Sequence, residues 1–390
     1  MSLEREIASV SPRTLISVVM PCLNEEEAVG DCVTEAFTAL AQAGFDAEVI
    51  VVDNGSDDRS AEKALSAGAT LVSEPLRGYG SALRAGFAAA HGDVIVMADA
   101  DASYDLSKLP DLAGAIISAQ AEIVLGNRFG PGHRDNSMPW MHKWIGTPVL
   151  SVVTRLVTGK WIKDSQSGFR AFSRASLAAL DLKSTGMELA SEILLRANAL
   201  GYQVLEIETG YRPRRGPSKL MPMQDAWRHM RLIILWGPHV FFVIPGLISI
   251  FLGLAVKVLA LAQGGVLTFG SARWKPIFFG TLLLVVGMQA ALLGTLLLSL
   301  SNQAPPRWRN RATKFLDTSR LLQKGLGALA LFVSGLVLEL FLVLSSLVSV
   351  DLGRSRLPLS SVAQDCLLTG GSLGLFVVAV AALTSREPAQ

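Results

Sequence analysis

Val94-Ile95-Val96-Met97-Ala98-Asp99-Ala100-Asp101 is an apolar run of strand length that ends in two carboxylates one residue apart. A short continuous apolar segment of this kind suits a strand buried on both faces. Along an extended chain, residues i and i+2 share a face, so Asp99 and Asp101 converge. Two such carboxylates suit one small hard cation, Mg2+ or Mn2+, whose remaining positions go to water and substrate phosphate. Taken alone, an Asp-x-Asp at a strand end reads equally well as a polar turn. The neighbouring segments weigh between the two.

Two of those segments repeat the pattern. Ile16 to Met20 is a strand stopped by Pro21, after which Asn24 caps a helix and Glu25, Glu26 and Glu27 suit its positive end. Glu48 to Asp53 is a strand ending in an acid, followed by the turn residues Asn54-Gly55-Ser56-Asp57-Asp58. Three acid-tipped strands describe the binding edge of an open α/β sheet, where ligands sit beyond the carboxyl ends of the strands. Between them, Arg77-Gly78-Tyr79-Gly80-Ser81 opens a helix whose backbone N–H groups and arginine suit a diphosphate. Its spacing departs from the dinucleotide fingerprint, and close helix packing explains the glycines equally well. Glu188 and Glu192 lie one helical turn apart, the spacing of a solvated helix face.

The 390 residues are half hydrophobic and only 17% charged, and a mean hydropathy of +0.41 is too apolar for a soluble protein. The excess is uneven. Residues 1 to about 235 read as a soluble α/β domain and those from about 239 onward as membrane. A net charge of +2 makes no case for nucleic acid. Cys22, Cys32 and Cys366 have no metal or redox spacing and are expected as free thiols. Met1 to Thr14 is a polar tail without an apolar signal core, so no cleaved leader is expected.

The membrane half opens with a mixed helix, residues 221–238, whose bases and tryptophans suit the headgroup plane. Four apolar stretches follow at about 240–262, 277–300, 326–348 and 366–383, each near the roughly 20 residues that cross a bilayer. The last is the shortest. The link from Ser301 to Gly325 carries six bases against one acid. Positive charge stays cytoplasmic, which places the soluble domain and both termini inside a multi-pass inner or plasma membrane protein. Glu339 sits mid-span, where a carboxylate costs roughly 2.5–3.5 kcal/mol unless paired or protonated. A protonated Glu339 bonded to Gln289 is the preferred reading, and a contact for another membrane protein the sharper one.

Pro21-x-x-Asn24-Glu25, Asp53-Asn-Gly-Ser-x-Asp58, Arg77-Gly-x-Gly80 and Asp99-Ala-Asp101 together resemble family-2 glycosyltransferases of the GT-A fold. Gly126-Asn-Arg128, Met138-Pro-Trp140, Asp164-Ser-Gln-Ser-Gly168-Phe-Arg170 and Tyr211-Arg-Pro-Arg214-Arg-Gly216-Pro-Ser218-Lys219 are similar to the polyprenyl-phosphate branch, the dolichyl-phosphate mannose and glucose synthases. The resemblance covers about residues 14 to 240. It implies a Rossmann-like nucleotide-sugar-binding domain over residues 15–220, the interfacial helix at 221–238, an all-α membrane domain over 239–384 and a short tail at 385–390.

The resemblance also implies roles. Pro21, Glu25, Asp53 and Arg77 belong to the nucleotide-sugar site, and Asp99 and Asp101 hold a Mg2+ or Mn2+ ion bridging the diphosphate. Arg128 meets the phosphates, and Asp164 is the acid that orients acceptor or sugar hydroxyls. Arg214, Ser218 and Lys219 dock the acceptor phosphate, although Lys219 reads equally well as facing lipid headgroups. His133 and Lys143 suit either that phosphate or, with Trp140 and Trp144, a lipid-interface belt on a flap over residues 130–160. The branch often has Gln two residues after the second acid, where this chain has Ser103, so Ser103, Tyr104 or water is left to complete the metal shell.

The implied reaction is inverting transfer of a hexose from a nucleotide sugar, UDP-glucose in preference to GDP-mannose, to a polyprenyl phosphate. The membrane helices also offer a surface for homo-oligomers. One rival is a processive polysaccharide synthase. Its Gln-x-x-Arg-Trp signature is matched only by Gln303-Ala-Pro-Pro-Arg307-Trp308, one residue too long. Another is a membrane scaffold or transporter with a non-catalytic nucleotide-binding domain.

Overall fold

The computed structural model describes residues 14–129, 144, 146–216, 221–262, 267–269, 272–274, 277–301, 303–317, 321–347, 352 and 356–384. The chain divides into two compact units, Met1–Ile233 and Ile234–Gln390.

The first unit is a seven-stranded mixed sheet: β1 (Leu15–Cys22), β2 (Asp46–Asp53), β3 (Thr70–Ser73), β4 (Val94–Met97), β5 (Ile123–Asn127), β6 (Arg170–Ser173) and β7 (Val204–Glu208). Its spatial order is β3-β2-β1-β4-β6-β5-β7. Strand alternation sorts the core into two layers. Val18, Met20, Val49, Val51 and Val96 are buried on the face covered by α1 (Val29–Gln42) and α4 (Leu109–Ile117). Val19, Ile50, Val52, Ile95 and Met97 are buried on the other face, under α3 (Tyr79–Ala89) and α7 (Leu189–Ala199). With both faces covered, the strands read as continuous apolar runs.

Register places the functional loops. β1, β2 and β4 run parallel, with Cys22 opposite Asp53 and Val19 opposite Met97, so their following residues emerge at one edge. β6 runs antiparallel between β4 and β5, with Arg170 opposite both Met97 and Leu125. The segment entering β6, residues 164–169, therefore reaches the same edge from the opposite chain direction.

The glycines at the start of α3 are required by packing. Gly78 has φ +144°, and a Cβ there would lie 2.2 Å from the Thr185 carbonyl; at Gly80 it would lie 2.5 Å from that of Ser184. Ser81 N donates to Thr185 O at 3.1 Å. Glu192 supports this contact. It is buried, accepts from the backbone of Lys183 and Ser184 and pairs with Arg196 at 2.7 Å. Glu192 thus departs from the solvated face expected of it, because the 183–186 loop folds over α7.

The second unit is helical: α9 (Ile244–Ala262), α10 (Ile277–Leu300), α11 (Pro306–Phe315), α12 (Leu321–Leu347) and α13 (Arg356–Thr384), with a short hairpin of β8 (Leu267–Phe269) and β9 (Ala272–Trp274). Among the described residues, four helices are long and apolar enough to cross a membrane, at His239–Ala262, Phe278–Leu300, Gln323–Ser345 and Leu359–Ala381. α9 and α10 cross closely, since a Cβ at Gly246 would lie 2.6 Å from the Gly287 carbonyl. The last helix is the longest rather than the shortest. The helix begins ahead of the expected stretch at 366–383, and Asp365 within it pairs with Lys257, whose Nζ also donates to Thr281 Oγ1 at 3.0 Å and Ser361 Oγ at 2.6 Å. Gln289 bonds Ser372 on α13 at 3.4 Å and not Glu339.

Candidate functional site

The site grows from the Asn24 and Asp53 turns. Asn24 takes φ +54°, which a short polar side chain tolerates, and its carboxamide oxygen accepts from Asp57 N at 2.8 Å. Asp53 accepts from Ser56 N at 3.0 Å. Asn54 is buried and joins three segments: its amide donates to Glu74 O and Leu76 O, and its oxygen accepts from Gly78 N at 2.7 Å. Arg77 is exposed and donates to Gly55 O at 3.1 Å. Pro21 is the penultimate residue of β1 and Glu25 lies three residues beyond the strand, held by Glu25 N donating to Ser60 Oγ at 2.8 Å.

Asp99 and Asp101 follow β4 as the alternation requires. Tyr79 donates its hydroxyl to Asp99 at 2.9 Å, and Ser103 N donates to Asp101 at 3.0 Å. Burial, and then the charge of Asp101, push the Asp99 carboxyl up to about 7. Two crowded carboxylates that resist joint ionisation are a place where a cation is favoured. The donor set is all oxygen, which fits Mg2+ or Mn2+. No group of three or more His, Cys, Asp or Glu able to hold a metal occurs among the described residues, so the rest of a shell would come from water and substrate. Tyr104 is committed elsewhere: it is buried, and its hydroxyl accepts from Gly168 N at 2.7 Å.

On the far side of β4, Arg128 leaves β5 and meets Asp164 in a bidentate pair, Nε to Oδ2 at 2.7 Å and Nη2 to Oδ1 at 2.8 Å. Burial alone would lower the Arg128 guanidinium, and Asp164 reverses that, holding it above its ordinary value. Its charge is also 5.4 Å above the Tyr211 ring. Asp164 is fully buried, and its backbone N–H donates to Glu206 at 2.9 Å. Arg170, also fully buried, donates to the carbonyls of Ser165, Ser167 and Ala190. Burial lowers its guanidinium to about 10.

Residues 211–216 form a strap along the Asp99–Ser103 segment, with Arg212 N donating to Ser103 O and Arg215 N to Asp101 O. Its arginines fan out. Arg212 pairs with Glu35 at 3.0 Å and Asp105 at 2.8 Å, and Arg215 pairs with Asp31. Arg214 turns inward, 2.9 Å from Glu25 and 3.6 Å from Asp101. The resemblance separates Arg214, as an acceptor residue, from Glu25 and Asp101 as donor and metal residues; the structure brings the three into one contact. Beside them a cavity of about 330 Å3 is lined by Asn24, Glu25, Glu26, Glu27, Asp57, Asp58 and Gly216. Lys143, Ser218, Lys219, His133 and Trp140 lie outside the described residues. Sequence reasoning left Tyr79, Tyr211, Glu206 and the strap ion pairs unassigned, and nothing local marks them.

α5 (Thr147–Thr158) is an amphipathic helix that buries Leu150 with a mostly polar face and leaves several apolar side chains outward. Thr147, Ser151 and Thr154 are buried, whereas Val149, Val152 and Leu156 are exposed, together with Trp144 (70%) and Trp161 (53%). Arg155 lies over the Trp161 ring at 5.0 Å. Exposed apolar side chains gathered on one helix and its flanking tryptophans suit an interaction surface. α8 (Pro222–Trp236) shows the usual sense along its first unit residues: His229 and Ile233 are buried, His229 meets Ser191 Oγ at 2.8 Å, and Met223 and Trp227 are exposed.

An α/β sheet whose parallel strand ends deliver paired acids and arginines to one edge has the architecture of a ligand-binding domain. Residues 17–180 match the family model described as Glycosyl transferase family 2, and the chain belongs to that family of glycosyltransferases. Over 281 residues it is 36% identical to the low-salt glycan biosynthesis hexosyltransferase Agl6 of Haloferax volcanii, covering 72% of this chain and 67% of that protein. It is 32% identical over 208 residues to the dolichyl-phosphate hexose transferase of the same organism, covering 53% of this chain and 87% of that one. Glucosyl-3-phosphoglycerate synthase from Mycobacterium tuberculosis, solved in complex with Mn2+, UDP and glucosyl-3-phosphoglycerate, aligns with a TM-score of 0.45 and 26% identity over 57% of this chain and 78% of that chain.

Proposed function

We propose that the chain transfers a hexose from a nucleotide sugar to a polyprenyl phosphate, with inversion at the anomeric carbon, at the cytoplasmic face of the membrane. The observation that carries this reading is the charge arrangement at the sheet edge, where Arg128 and Arg214 are each set against buried carboxylates within one cluster. Similarity to a dolichyl-phosphate hexose transferase supports the acceptor class. The outward apolar face of α5 and the four apolar helices support an acceptor held in a bilayer.

The acceptor phosphate is ionised near neutral pH, so its oxygen attacks without a strong general base, and catalysis is mostly positioning and charge stabilisation. Asp164 fixes the Arg128 fork toward the leaving diphosphate, and Glu206 and Arg170 fix the loop that carries Asp164. When bound at Asp99 and Asp101, Mg2+ or Mn2+ supplies countercharge to that diphosphate. Arg214, at the junction of Glu25 and Asp101, is placed to hold the attacking phosphate once the donor occupies its carboxylate partners. Glu25, Asp53, Arg77 and Pro21 frame the nucleotide. Lys143, Ser218 and Lys219 complete the acceptor side. The Asp99-Ala-Asp-Ala-Ser-Tyr104 variant resembles glucose-type members and favours UDP-glucose as donor.

The test is single-turnover transfer from UDP-[14C]glucose and GDP-[14C]mannose to undecaprenyl phosphate in detergent, with Mg2+, Mn2+ or chelator. Product with UDP-glucose that needs metal and the lipid phosphate is expected. Hydrolysis alone, or a growing polysaccharide, would overturn the acceptor assignment.

A further inference from the structure

The helical unit carries a cationic face that the transfer reaction does not use. α11 lies between two candidate spans, separated by five residues from α10 on one side and from α12 on the other. Connectivity therefore holds it at headgroup depth if those helices cross the bilayer. The inner side of α11 is fixed. Trp308 packs against the cluster of Val243, Leu298, Ala304 and Ala312, and stacks on His239 at a ring separation of 5.2 Å. Its outer side presents Arg307, Arg311 and Lys314, all exposed. The spacing i, i+4, i+7 puts the three on one helix face. None of them forms an ion pair with a carboxylate among the described residues. Arg311 is further oriented by the Trp308 ring, 5.7 Å from its guanidinium carbon.

Contrast the strap of the first unit, where Arg212, Arg214 and Arg215 all meet carboxylates of their own chain. Three aligned cations on one helix, without carboxylate partners among the described residues and flanked by exposed Leu300 and Phe315, fit phosphate headgroups beside acyl chains. We propose that the Arg307–Arg311–Lys314 face of α11 is a binding surface for anionic glycerophospholipid. The shared chemistry is a phosphodiester seated between neighbouring bases, and the apolar neighbours select a lipid over a free anion.

The experiment uses the full chain in neutral detergent, with phosphatidylglycerol or phosphatidylcholine titrated in and retained lipid read by native mass spectrometry. A base near an anionic surface contributes about fivefold in affinity, so three contribute on the order of a hundredfold. Wild type is expected to prefer phosphatidylglycerol by about that factor. R307Q/R311Q/K314Q is expected to lose the preference, and R307K/R311K to keep it. Single-turnover transfer in detergent is expected to be unchanged in both. Should the triple variant not fold, Arg311→Gln and Lys314→Gln singly are each expected to lose about fivefold. Wild-type preference in any of the Gln variants overturns the proposal. Displacement of the lipid by millimolar inorganic phosphate, or by polyprenyl phosphate at a tenth of the phosphatidylglycerol concentration, overturns the glycerophospholipid as its occupant.

Discussion

Two clusters of buried charge, one in each unit, are built on opposite plans. In the helical unit a single ammonium, Lys257, is surrounded by Thr281, Ser361 and Asp365 from two other helices, so each Lys257 proton has an oxygen to meet. At the sheet edge of the first unit the acids outnumber what their own chain neutralises. Asp99 is pushed up to about 7 by burial and by Asp101, and Arg214 is divided between Glu25 and Asp101. A cluster whose cation is fully met by its own chain ties helices together. One with unmet charge is stabilised by a ligand, and that is the physical difference between a cross-link and a site.

The comparison is tested hardest at Asp101. Asp101→Asn removes countercharge where the diphosphate is proposed to sit, and transfer is expected to fall below detection while the protein stays folded. Full activity with Mg2+ or Mn2+ would remove this edge from the metal site. In the helical unit the reverse is expected. Lys257→Met leaves the half-buried Asp365 without its partner, and losing one member of a buried pair costs up to about 3–5 kcal/mol. That loss is read as a fall in thermal stability in detergent. K257M/D365L is expected to recover most of it, with the transfer rate per folded molecule unchanged in both. A rate that fell in step with Lys257 would make that cluster functional and erase the contrast.

Arg214 tests the contrast inside the site. Arg214→Ala is expected to lower transfer to polyprenyl phosphate on the order of a hundredfold, comparable to losing one charged donor at a reacting centre. Because Arg214 contacts Glu25 and Asp101, its loss also takes a competing cation from those acids. Mn2+ affinity of the nucleotide-free protein is therefore expected to rise, read by isothermal titration calorimetry. Unchanged metal affinity would show that the arginine does not share charge with the pair.

How much of this was legible follows from where each signal resides. The apolar runs ending in Asp53 and Asp101 show both strands and the shared edge, because period-2 burial is local. β6 was not readable as a strand: four residues beginning with arginine carry no pattern, and only the antiparallel register between β4 and β5 explains a fully buried Arg170. The strap was visible as a run of bases, but Arg215 meets Asp31 across 184 residues, a separation no spacing rule spans. The Lys257–Asp365 pair escaped the sequence for the same reason, since its members lie 108 residues apart on different helices.

The smallest expected effect is a pH dependence, and its sign separates two groups of the first unit. Burial, and then the charge of Arg170, lower the His229 imidazole to about 4, below its ordinary 6.5. The unfolded chain takes up that proton first, so the stability His229 contributes is present above pH 6.5 and is lost as pH falls toward 4. Asp99 runs the other way. Its folded value of about 7 lies above the ordinary 3.8, so in metal-free protein its contribution is present below 3.8 and is lost as pH rises through 7. The raw slope between pH 7.5 and 5 therefore mixes two opposed terms. His229→Gln can keep the contact to Ser191 while removing the titration. The variant is expected to lose less stability on acidification than wild type in metal-free urea titrations. Saturating Mn2+ with UDP, which favours ionised Asp99, is expected to steepen the acid loss in both proteins. The gap between them, set by His229 alone, is expected to persist. If that gap closes with ligand, His229 senses the site across Arg170, and the two groups form one titrating system.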